Sequence, residues 1–237
     1  MMIFGRVKSY FRERIINLID FYIKEVLAHD INYELQLDAR KKTADYVKRH
    51  MNKVNSVQSR WEVIDEALKK VALDGLICEF GVASGVSINY IAKKVYPKTV
   101  YGFDSFQGLP ETWRDGFPVG YFKMDNIPTV RDNVKLIVGL FHETLPKFLK
   151  ETDLPFAFIH IDCDLYSSTK TIFDLAYDRI ISGTVIVFDE YFNYPGWEEG
   201  EYKAFQEFIR KSGLSYDYIT FNRLHQQVAV IIKERKP

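Results

Sequence analysis

The chain has 237 residues, of which 47% are hydrophobic, enough for one large α/β domain or for a domain with an appendage. Its 32 basic and 32 acidic residues cancel, which argues against a nucleic-acid partner, because phosphate binding needs an excess of Lys and Arg. Cys78 and Cys163 form no CxxC motif, so we expect no disulfide framework and a reducing, cytoplasmic location. No uncharged apolar run reaches about 18 residues, and we expect neither a transmembrane helix nor a signal peptide.

Residues 1–70 are predicted to form a helical segment that precedes the main domain. Apolar side chains recur there at spacings of three and four with charges between them, which is typical of an amphipathic helix. These side chains are Phe4, Val7, Phe11, Ile15, Leu18, Tyr22 and Val26. We expect this helix to pack on the domain or on a second subunit, and a helix at a membrane surface is the alternative. Two further helices are predicted at residues 39–50 and 60–71.

Residues 71–237 alternate between strand and helix patterns. Strands are predicted at 76–80, 99–103, 134–138, 156–161 and 184–188, with helices at 86–94, 143–151, 167–180 and 199–211. Two closing strands, at 216–220 and 227–232, are joined by a short loop. The pattern predicts a doubly wound, Rossmann-like α/β fold: a mostly parallel sheet with helices on both faces and an antiparallel edge hairpin at the carboxyl end.

The turn after the first of these strands is typical of a nucleotide-type site. Gly81 and Gly85 would let the backbone approach a ligand, and the following helix offers its amino end. Ala83 replaces the middle glycine of a Gly-x-Gly-x-Gly motif, and the Gly-x-Gly-x-x-Gly of dinucleotide sites is absent. Asp104 ends the next strand, 25 residues after Glu79, where an acid can accept hydrogen bonds from both ribose hydroxyls of an adenosine.

Glu79, beside the glycine turn, indicates the charge of the ligand. A carboxylate there repels phosphate groups and attracts an amino group. S-adenosylmethionine carries an ammonium and a sulfonium and no phosphate, so the electrostatics favour it over a dinucleotide. A nicotinamide-dependent oxidoreductase on a similar sheet is the alternative within enzymes.

Two more strands also end in acids, namely Asp162 and Asp164 on one and Asp189 and Glu190 on the other. Because the carboxyl ends of parallel strands meet in one crevice, these carboxylates should crowd together. Such a cluster is costly unless it is protonated, paired with basic side chains or bridged by a cation. Oxygen ligands suit Mg²⁺, Ca²⁺ or Mn²⁺. His160, in mid-strand, is interpreted as a core or sheet-face residue.

Five motifs together resemble the macrocin O-methyltransferase family of class I S-adenosylmethionine-dependent enzymes. They lie at residues 79–85, 102–111, 139–146, 161–169 and 187–191, and the similarity covers roughly residues 75–210. The resemblance implies methylation of a hydroxyl on a sugar or other small natural-product-like molecule, usually with Mg²⁺. It also implies that residues 1–70 help to form the acceptor pocket or an oligomer contact, and we expect a homo-oligomer.

The family's functional residues can be carried over to matching positions. The resemblance places Glu79, Gly81, Ala83, Ser84 and Gly85 around the methionine part of the donor, Asp104 at the ribose, and Ser105 and Phe106 near the adenine. His142 and Asp162 complete the expected donor site. The implied cation ligands are Asp162, Asp189 and Glu190, with Glu190 standing where related enzymes often have Asp. Asp164 is the candidate general base, although it could instead be a ligand.

A mechanism follows from these assignments. A bound cation would lower the pKa of the acceptor hydroxyl and Asp164 would take its proton. The oxygen would then attack the sulfonium methyl in line, and S-adenosylhomocysteine would leave. The loop of residues 105–132, rich in aromatic residues, could close over the acceptor, or it could be a structured surface loop. A protein that kept the donor site and lost catalysis is the alternative from another functional class.

Overall fold

A computed structural model describes the backbone of residues 2–234 and the side chains of residues 11–234. The strands are β1 Ser56–Val57, β2 Leu76–Phe80, β3 Val100–Asp104, β4 Val134–Val138, β5 Phe156–Ile161, β6 Val185–Phe188, β7 Ser215–Asn222 and β8 Val228–Lys233. The helices are α1 Met2–Phe21, α2 Ile31–His50, α3 Arg60–Leu68, α4 Val86–Val95, α5 Phe141–Lys150, α6 Tyr166–Leu175 and α7 Glu201–Ser212.

The eight strands found in residues 2–234 belong to one sheet in the order β1-β7-β8-β6-β5-β2-β3-β4. Within the described chain, β8 is the strand that runs against its neighbours, β6 and β7, and the other pairings are parallel. The predicted fold class is therefore confirmed, including the antiparallel pair near the carboxyl end. The two-residue strand β1, which no sequence pattern indicated, pairs with the outer side of β7.

Helices cover both faces of the sheet, and each face has its own apolar core. Strands β2, β5 and β6 are buried along their whole length, as expected for central parallel strands. Successive side chains of β5 enter opposite cores: Phe158 joins the core of helices α3 and α4, and Ile159 joins that of α2, α5, α6 and α7.

The strand order places a topological switch point between β2 and β5. From β2 the chain proceeds to β3 and β4 on one side, and then returns to β5 and β6 on the other. Crevices form at such points, beyond the carboxyl ends of the strands. The strand order therefore predicts a ligand-binding crevice between the ends of β2 and β5.

The predicted amino-terminal segment divides into two parts that differ in burial. The side chains predicted to form the apolar face of the first helix are exposed where they are described, with Ile15 56% and Leu18 68% exposed. From Ala39 onward, by contrast, the segment contributes side chains to the core, including Tyr46 and Ile64. The division at residue 70 stays a prediction. Phe4 and Val7 lie outside the side chains that the structure describes.

Candidate active site

A cavity of about 590 Å³ opens at the switch point. Its walls come from the glycine loop after β2, the segments after β3, β4, β5 and β6, and the first residue of α3. The residues that line it include Arg60, Gly81, Ala83, Ser84, Asp104, Ser105, His142, Asp162, Asp164, Asp189 and Glu190. Most of the residues predicted from the strand ends therefore lie on one cavity, as the parallel topology requires.

The glycine loop has the backbone conformation that its sequence indicated. Gly81 has φ of 91° and Gly85 has φ of 78°, a region that side chains rarely occupy. A Cβ atom at Gly81 would also overlap the backbone carbonyl of Asp162, so only glycine lets β2 and β5 approach here. Ala83, in the middle of the motif, also adopts a positive φ, of 43°.

The amides of this loop are bound to Asp104. Val82 N and Ala83 N donate to Asp104 Oδ2 at 2.7 and 2.8 Å, and Phe106 N donates to Oδ1 at 2.7 Å. A carboxylate has about four acceptor sites, so roughly one is left for a ligand hydroxyl. This arrangement places a negative charge, rather than free N–H groups, at the mouth of the glycine loop.

Three of the predicted donor-site residues do not line the cavity: Glu79, Gly85 and Phe106. Glu79 is fully buried, and its Oε1 lies 2.7 Å from His160 Nδ1. Phe106 is 5% exposed and packs in the α3–α4 core. Glu79 therefore contacts the histidine of β5, and direct contact of these three residues with a donor stays a prediction.

Ionic side chains meet at the carboxyl ends of β2, β5 and β6, and Arg60, Asp162 and Asp189 among them line the cavity. We refer to them as the ion cluster, which consists of Arg60, Glu79, His160, Asp162 and Asp189. Arg60 Nε donates to Asp189 Oδ1 at 3.2 Å, Arg60 Nη2 bonds to Asp189 Oδ2, and Nη2 lies 3.6 Å from Asp162 Oδ2. Two of the three carboxylates predicted to bind a cation, Asp162 and Asp189, are thus paired with a guanidinium.

The sequence of α3 explains why Arg60 reaches this position. Ser59 is the N-cap residue of the helix, and its side chain accepts a hydrogen bond from Glu62 N. Glu62 in turn accepts from Gln58 N at 2.9 Å. This reciprocal capping fixes the start of α3 and places Arg60, its first residue, at the cavity wall.

The ion cluster shifts the pKa values of its members in opposite directions. Burial opposes the charge on His160, yet interactions with Asp189 and Glu79 raise the pKa of its imidazole to about 10. Burial also opposes the charge on Asp189, but His160 and Arg60 hold the pKa of that carboxyl well below its usual range. Burial and the Asp189 charge raise the pKa of Asp162. Asp189 is therefore the carboxylate that holds the cluster together.

Asp164 lies just beyond the end of β5, in a strained turn. Its φ is 63°, and Leu165 N donates to Cys163 O at 2.6 Å. The spacing of two would put Asp162 and Asp164 on one face of an extended strand, and that expectation is wrong because the chain turns here, beyond the end of β5. Both still line the cavity, because the turn brings Asp164 back to it. Burial and the Asp189 charge raise the pKa of Asp164 to about 7, close to the value that suits a general base at neutral pH.

Glu190 lines the cavity, and it lies beside a second buried glutamate, Glu201. Its backbone N donates to Glu201 Oε2 at 3.2 Å, and both side chains are buried with one carboxylate oxygen unpartnered. Burial and neighbouring carboxylates raise the pKa of both Glu190 and Glu201. Its role as a cation ligand stays a prediction.

Within the described side chains, one group has the spacing of a metal site: His160, Asp162 and Asp189, whose ligand atoms lie within 4.8 Å of one another. Sequence reasoning missed both His160 and Arg60. A signal for His160 existed, because it stands two residues before Asp162, near the end of the same strand. No comparable signal existed for Arg60, which lies 129 residues before Asp189 in the chain.

The loop between β3 and β4 is a structured wall of the cavity. Leu109 N donates to Tyr121 O, Gly120 N donates to Leu109 O, and Ser167 on α6 donates to Glu111 at 2.6 Å. Arg114 lies 4.0 Å from the ring centre of Trp113, within a group of aromatic rings. Closure of this loop over an acceptor stays a prediction.

Comparison with known proteins indicates the type of reaction. Residues 78–191 match the family model described as "Methyltransferase domain". The chain is 27% identical over 152 residues to demethyldecarbamoylnovobiocin O-methyltransferase from Streptomyces niveus, a match that covers 56% of this chain and 55% of that enzyme. It is 25% identical over 199 residues to mycinamicin III 3''-O-methyltransferase from Micromonospora griseorubida, which covers 73% of this chain and 74% of that enzyme.

Solved structures agree on the fold. A calicheamicin methyltransferase superposes with a TM-score of 0.60 at 22% identity, over 72% of this chain and 77% of that chain. The O-methyltransferase NovP superposes with a TM-score of 0.50 at 22% identity, over 75% and 78% of the two chains. The predicted resemblance is confirmed: residues 78–191 match a methyltransferase domain, and the chain is similar to O-methyltransferases of natural-product pathways.

Proposed function

We propose that the chain methylates a hydroxyl group of a sugar or other small natural-product-like molecule, with S-adenosylmethionine as the donor. The observation that carries the proposal is the glycine loop, whose amides at Val82 and Ala83 donate to the Asp104 carboxylate. The names of the curated relatives, both O-methyltransferases, support the same reaction type. The match spans 55% of the novobiocin enzyme, so the acceptor is a proposal of its own.

The loop geometry favours a cationic donor over a dinucleotide. A pyrophosphate site needs free N–H groups at the glycine turn, and here two of them are bound to a carboxylate. The negative charge of Asp104 would repel phosphates and attract a ligand with positive charge. This is the physical reason to set aside the nicotinamide-dependent alternative.

S-adenosylmethionine supplies an electrophilic methyl group on a sulfonium, and the protein has to bind and orient it. Gly81, Ala83 and Ser84 of the glycine loop line the cavity, as do Ser105 and His142. Asp104 keeps roughly one acceptor site for a ribose hydroxyl. Holding the acceptor oxygen in line with the methyl group contributes much of the rate enhancement in such reactions.

Asp164 is the residue that we propose takes the acceptor proton. It lines the cavity beside the ion cluster, at a residue with a positive φ. A base with a pKa near the working pH combines a deprotonated ground state with useful basicity. The structured loop after β3, with Phe122 and Leu109 on the cavity, would exclude water from this step.

We propose that a divalent cation, Mg²⁺ in the first instance, assists the reaction. The donor set fits such an ion: Asp162 and Asp189 offer oxygens, and His160 would offer its buried, unpartnered Nε2 after losing a proton, because only a neutral imidazole binds a metal ion. Glu190 is the further ligand that the sequence predicts. A bound cation would lower the pKa of the acceptor hydroxyl. An imidazole in the set would make Mn²⁺ as acceptable as Mg²⁺.

We also propose a cytoplasmic location and a homo-oligomeric state. Cys78 and Cys163 are free and buried, which fits a reducing, cytoplasmic location. No helix among the described residues is long and apolar enough to cross a membrane. We keep the prediction of a homo-oligomer, because apolar side chains of α1 such as Ile15 and Leu18 are exposed in the single chain.

Calorimetric titration with S-adenosylhomocysteine tests the donor, with and without Mg²⁺ and with NAD⁺ as the control ligand. We expect S-adenosylhomocysteine to bind with a micromolar Kd and NAD⁺ not to bind. Binding of NAD⁺ alone would favour the oxidoreductase. Binding of S-adenosylhomocysteine without methyl transfer to any of a panel of sugar and phenol acceptors would favour an inactive donor-binding protein.

A further inference from the structure

We propose that Arg60 is an internal counter-ion that occupies the cation position of the ion cluster, so that a divalent cation binds only when this guanidinium withdraws. The inference rests on the cation part of the proposed function and goes beyond it, because it assigns a role to a residue of α3. It predicts that the positive charge of Arg60 neutralises the carboxylates of Asp162 and Asp189 until a metal ion displaces Arg60.

The guanidinium contacts the same two carboxylates that would bind the ion. Its Nε and Nη2 bond to both oxygens of Asp189, and Nη2 lies 3.6 Å from Asp162 Oδ2. A guanidinium has five N–H donors and no acceptor, so it can only add positive charge at this point. A metal ion and Arg60 therefore compete for the same oxygen atoms.

His160 shows independently that the position can take a ligand other than Arg60. Its ring is fully buried, and Nε2 has no hydrogen-bond partner, although it lies 3.9 Å from Asp189 Oδ1. Glu79 contacts the other ring nitrogen at 2.7 Å. A carboxylate that orients a histidine in this way is the usual support of a metal-binding imidazole.

The partners differ in their freedom to move, which identifies Arg60 as the one that would leave. Its side chain is 36% exposed, whereas those of Asp189 and His160 are 6% and 0% exposed. Arg60 lines the open cavity, and its long stem can place the charged end elsewhere in it. Asp189 is further held by Gln227, whose Nε2 donates to it at 3.1 Å.

The direct test is binding of Mn²⁺ without any turnover. The electron paramagnetic resonance signal of free Mn²⁺ would be followed during titration of the wild-type chain, Arg60→Gln and Arg49→Gln. Arg49 is an exposed arginine of α2, so its variant is the matched control. We expect Arg60→Gln to bind Mn²⁺ roughly tenfold more tightly than the wild type, because a close positive charge has been removed, and Arg49→Gln to behave as the wild type.

A double variant locates the ion. Adding Asp189→Asn to Arg60→Gln should abolish the gain in affinity, because the carboxylate that both cations share is gone. Unchanged or weaker Mn²⁺ binding by a folded Arg60→Gln would overturn the proposal, and so would absence of binding to every variant. Titration with S-adenosylhomocysteine is independent of this result and still tests the methyltransferase assignment.

A second measurement uses the wild-type chain, in case Arg60→Gln does not fold. Phenylglyoxal modifies accessible arginines, and peptide mass spectrometry reads the extent at each position. We expect Mn²⁺ to increase the rate of modification at Arg60 several-fold and to leave Arg49 unchanged, because the ion displaces the guanidinium from Asp189. A rate at Arg60 that Mn²⁺ leaves unchanged or slows would overturn the proposal.

Discussion

Two groups of polar side chains, each partly or wholly buried, solve the problem of satisfying polar atoms away from water in different ways. The ion cluster brings opposite charges together at the carboxyl ends of the parallel strands. The other group, which we refer to as the tyrosine cluster, lies between α2, α7 and β7 and is neutral. It consists of Tyr46, Tyr191, Tyr216 and Tyr218.

The hydroxyl groups of the tyrosine cluster satisfy one another. Tyr218 bonds to Tyr46, to Tyr191 at 2.9 Å and to Tyr216 at 3.2 Å, and Gln206 donates to Tyr216 at 3.0 Å. Each hydroxyl can donate and accept, so a closed network forms without charge. This network ties α2, from the amino-terminal part, to the carboxyl-terminal strand pair.

The ion cluster, in contrast, leaves some of its polar atoms without hydrogen bonds. Glu79 Oε2 and His160 Nε2 are buried without hydrogen-bond partners. Buried groups without partners are costly, and in native proteins they mark sites of catalysis or of ligand or ion binding. We therefore expect the tyrosine cluster to stabilise the fold and the ion cluster to bind a ligand. Substitutions in or beside each cluster test these two roles.

The largest expected effect is on catalysis, from Asp164→Asn. The substitution keeps the shape of the side chain and removes the proposed base, so we expect methyl transfer to fall by about 10²–10⁴-fold. Affinity for S-adenosylhomocysteine should stay within about twofold, because Asp164 lies outside the glycine loop. Transfer from labelled donor to the acceptor panel measures the first, and calorimetry measures the second.

Asp178→Asn, at an exposed aspartate that follows α6, is the matched control for this substitution. It should retain full activity. Full activity of Asp164→Asn itself would refute the role of Asp164 as base and would leave the ion cluster as the source of catalysis.

The next effect is on stability, from Asp189→Ala. Removing this carboxylate leaves Arg60, His160 and Gln227 without a shared partner, and breaking a buried pair in this way lowers the free energy of unfolding by about 3–5 kcal/mol. Urea unfolding measures the loss. Asp189→Ala should also abolish activity together with any dependence on a divalent cation.

Asp189→Asn separates charge from hydrogen bonding at the same position. It keeps an acceptor oxygen for Arg60 or Gln227, so its stability should lie between those of the wild type and Asp189→Ala. A loss below about 1 kcal/mol for Asp189→Ala would mean that the ion cluster contributes little to the fold. An active Asp189→Ala enzyme that is indifferent to metal ions would refute the proposed role of a cation.

The same two clusters differ in how far the sequence predicts them. The ends of β2, β3, β5 and β6 are predictable, because apolar runs stop at acids and glycines, and parallel topology then forces those ends together. This rule alone is enough to predict that Asp104, Asp162, Asp164 and Asp189 lie on one cavity, which is where they are found.

The parts that the sequence does not predict depend on contacts between distant segments. Arg60 reaches Asp189 only because α3 packs on the sheet, and no local pattern encodes that packing. The tyrosine cluster draws on three separate regions of the chain for the same reason. The backbone turn at Asp164 is also unpredictable, since a positive φ at an aspartate leaves no clear sequence signal.

The smallest expected effect is a loss of stability from Tyr218→Phe, in the tyrosine cluster. The substitution removes one hydroxyl from the network and leaves Tyr46 and Tyr216 able to bond to other members, so we expect a loss of about 1 kcal/mol in the free energy of unfolding. Tyr177→Phe, which removes an exposed bond to Lys211 O, is the control and should lose less. Methyl transfer should be unchanged in both. A large loss of activity in Tyr218→Phe, with stability intact, would show that the two clusters are coupled and that the neutral network also shapes the site.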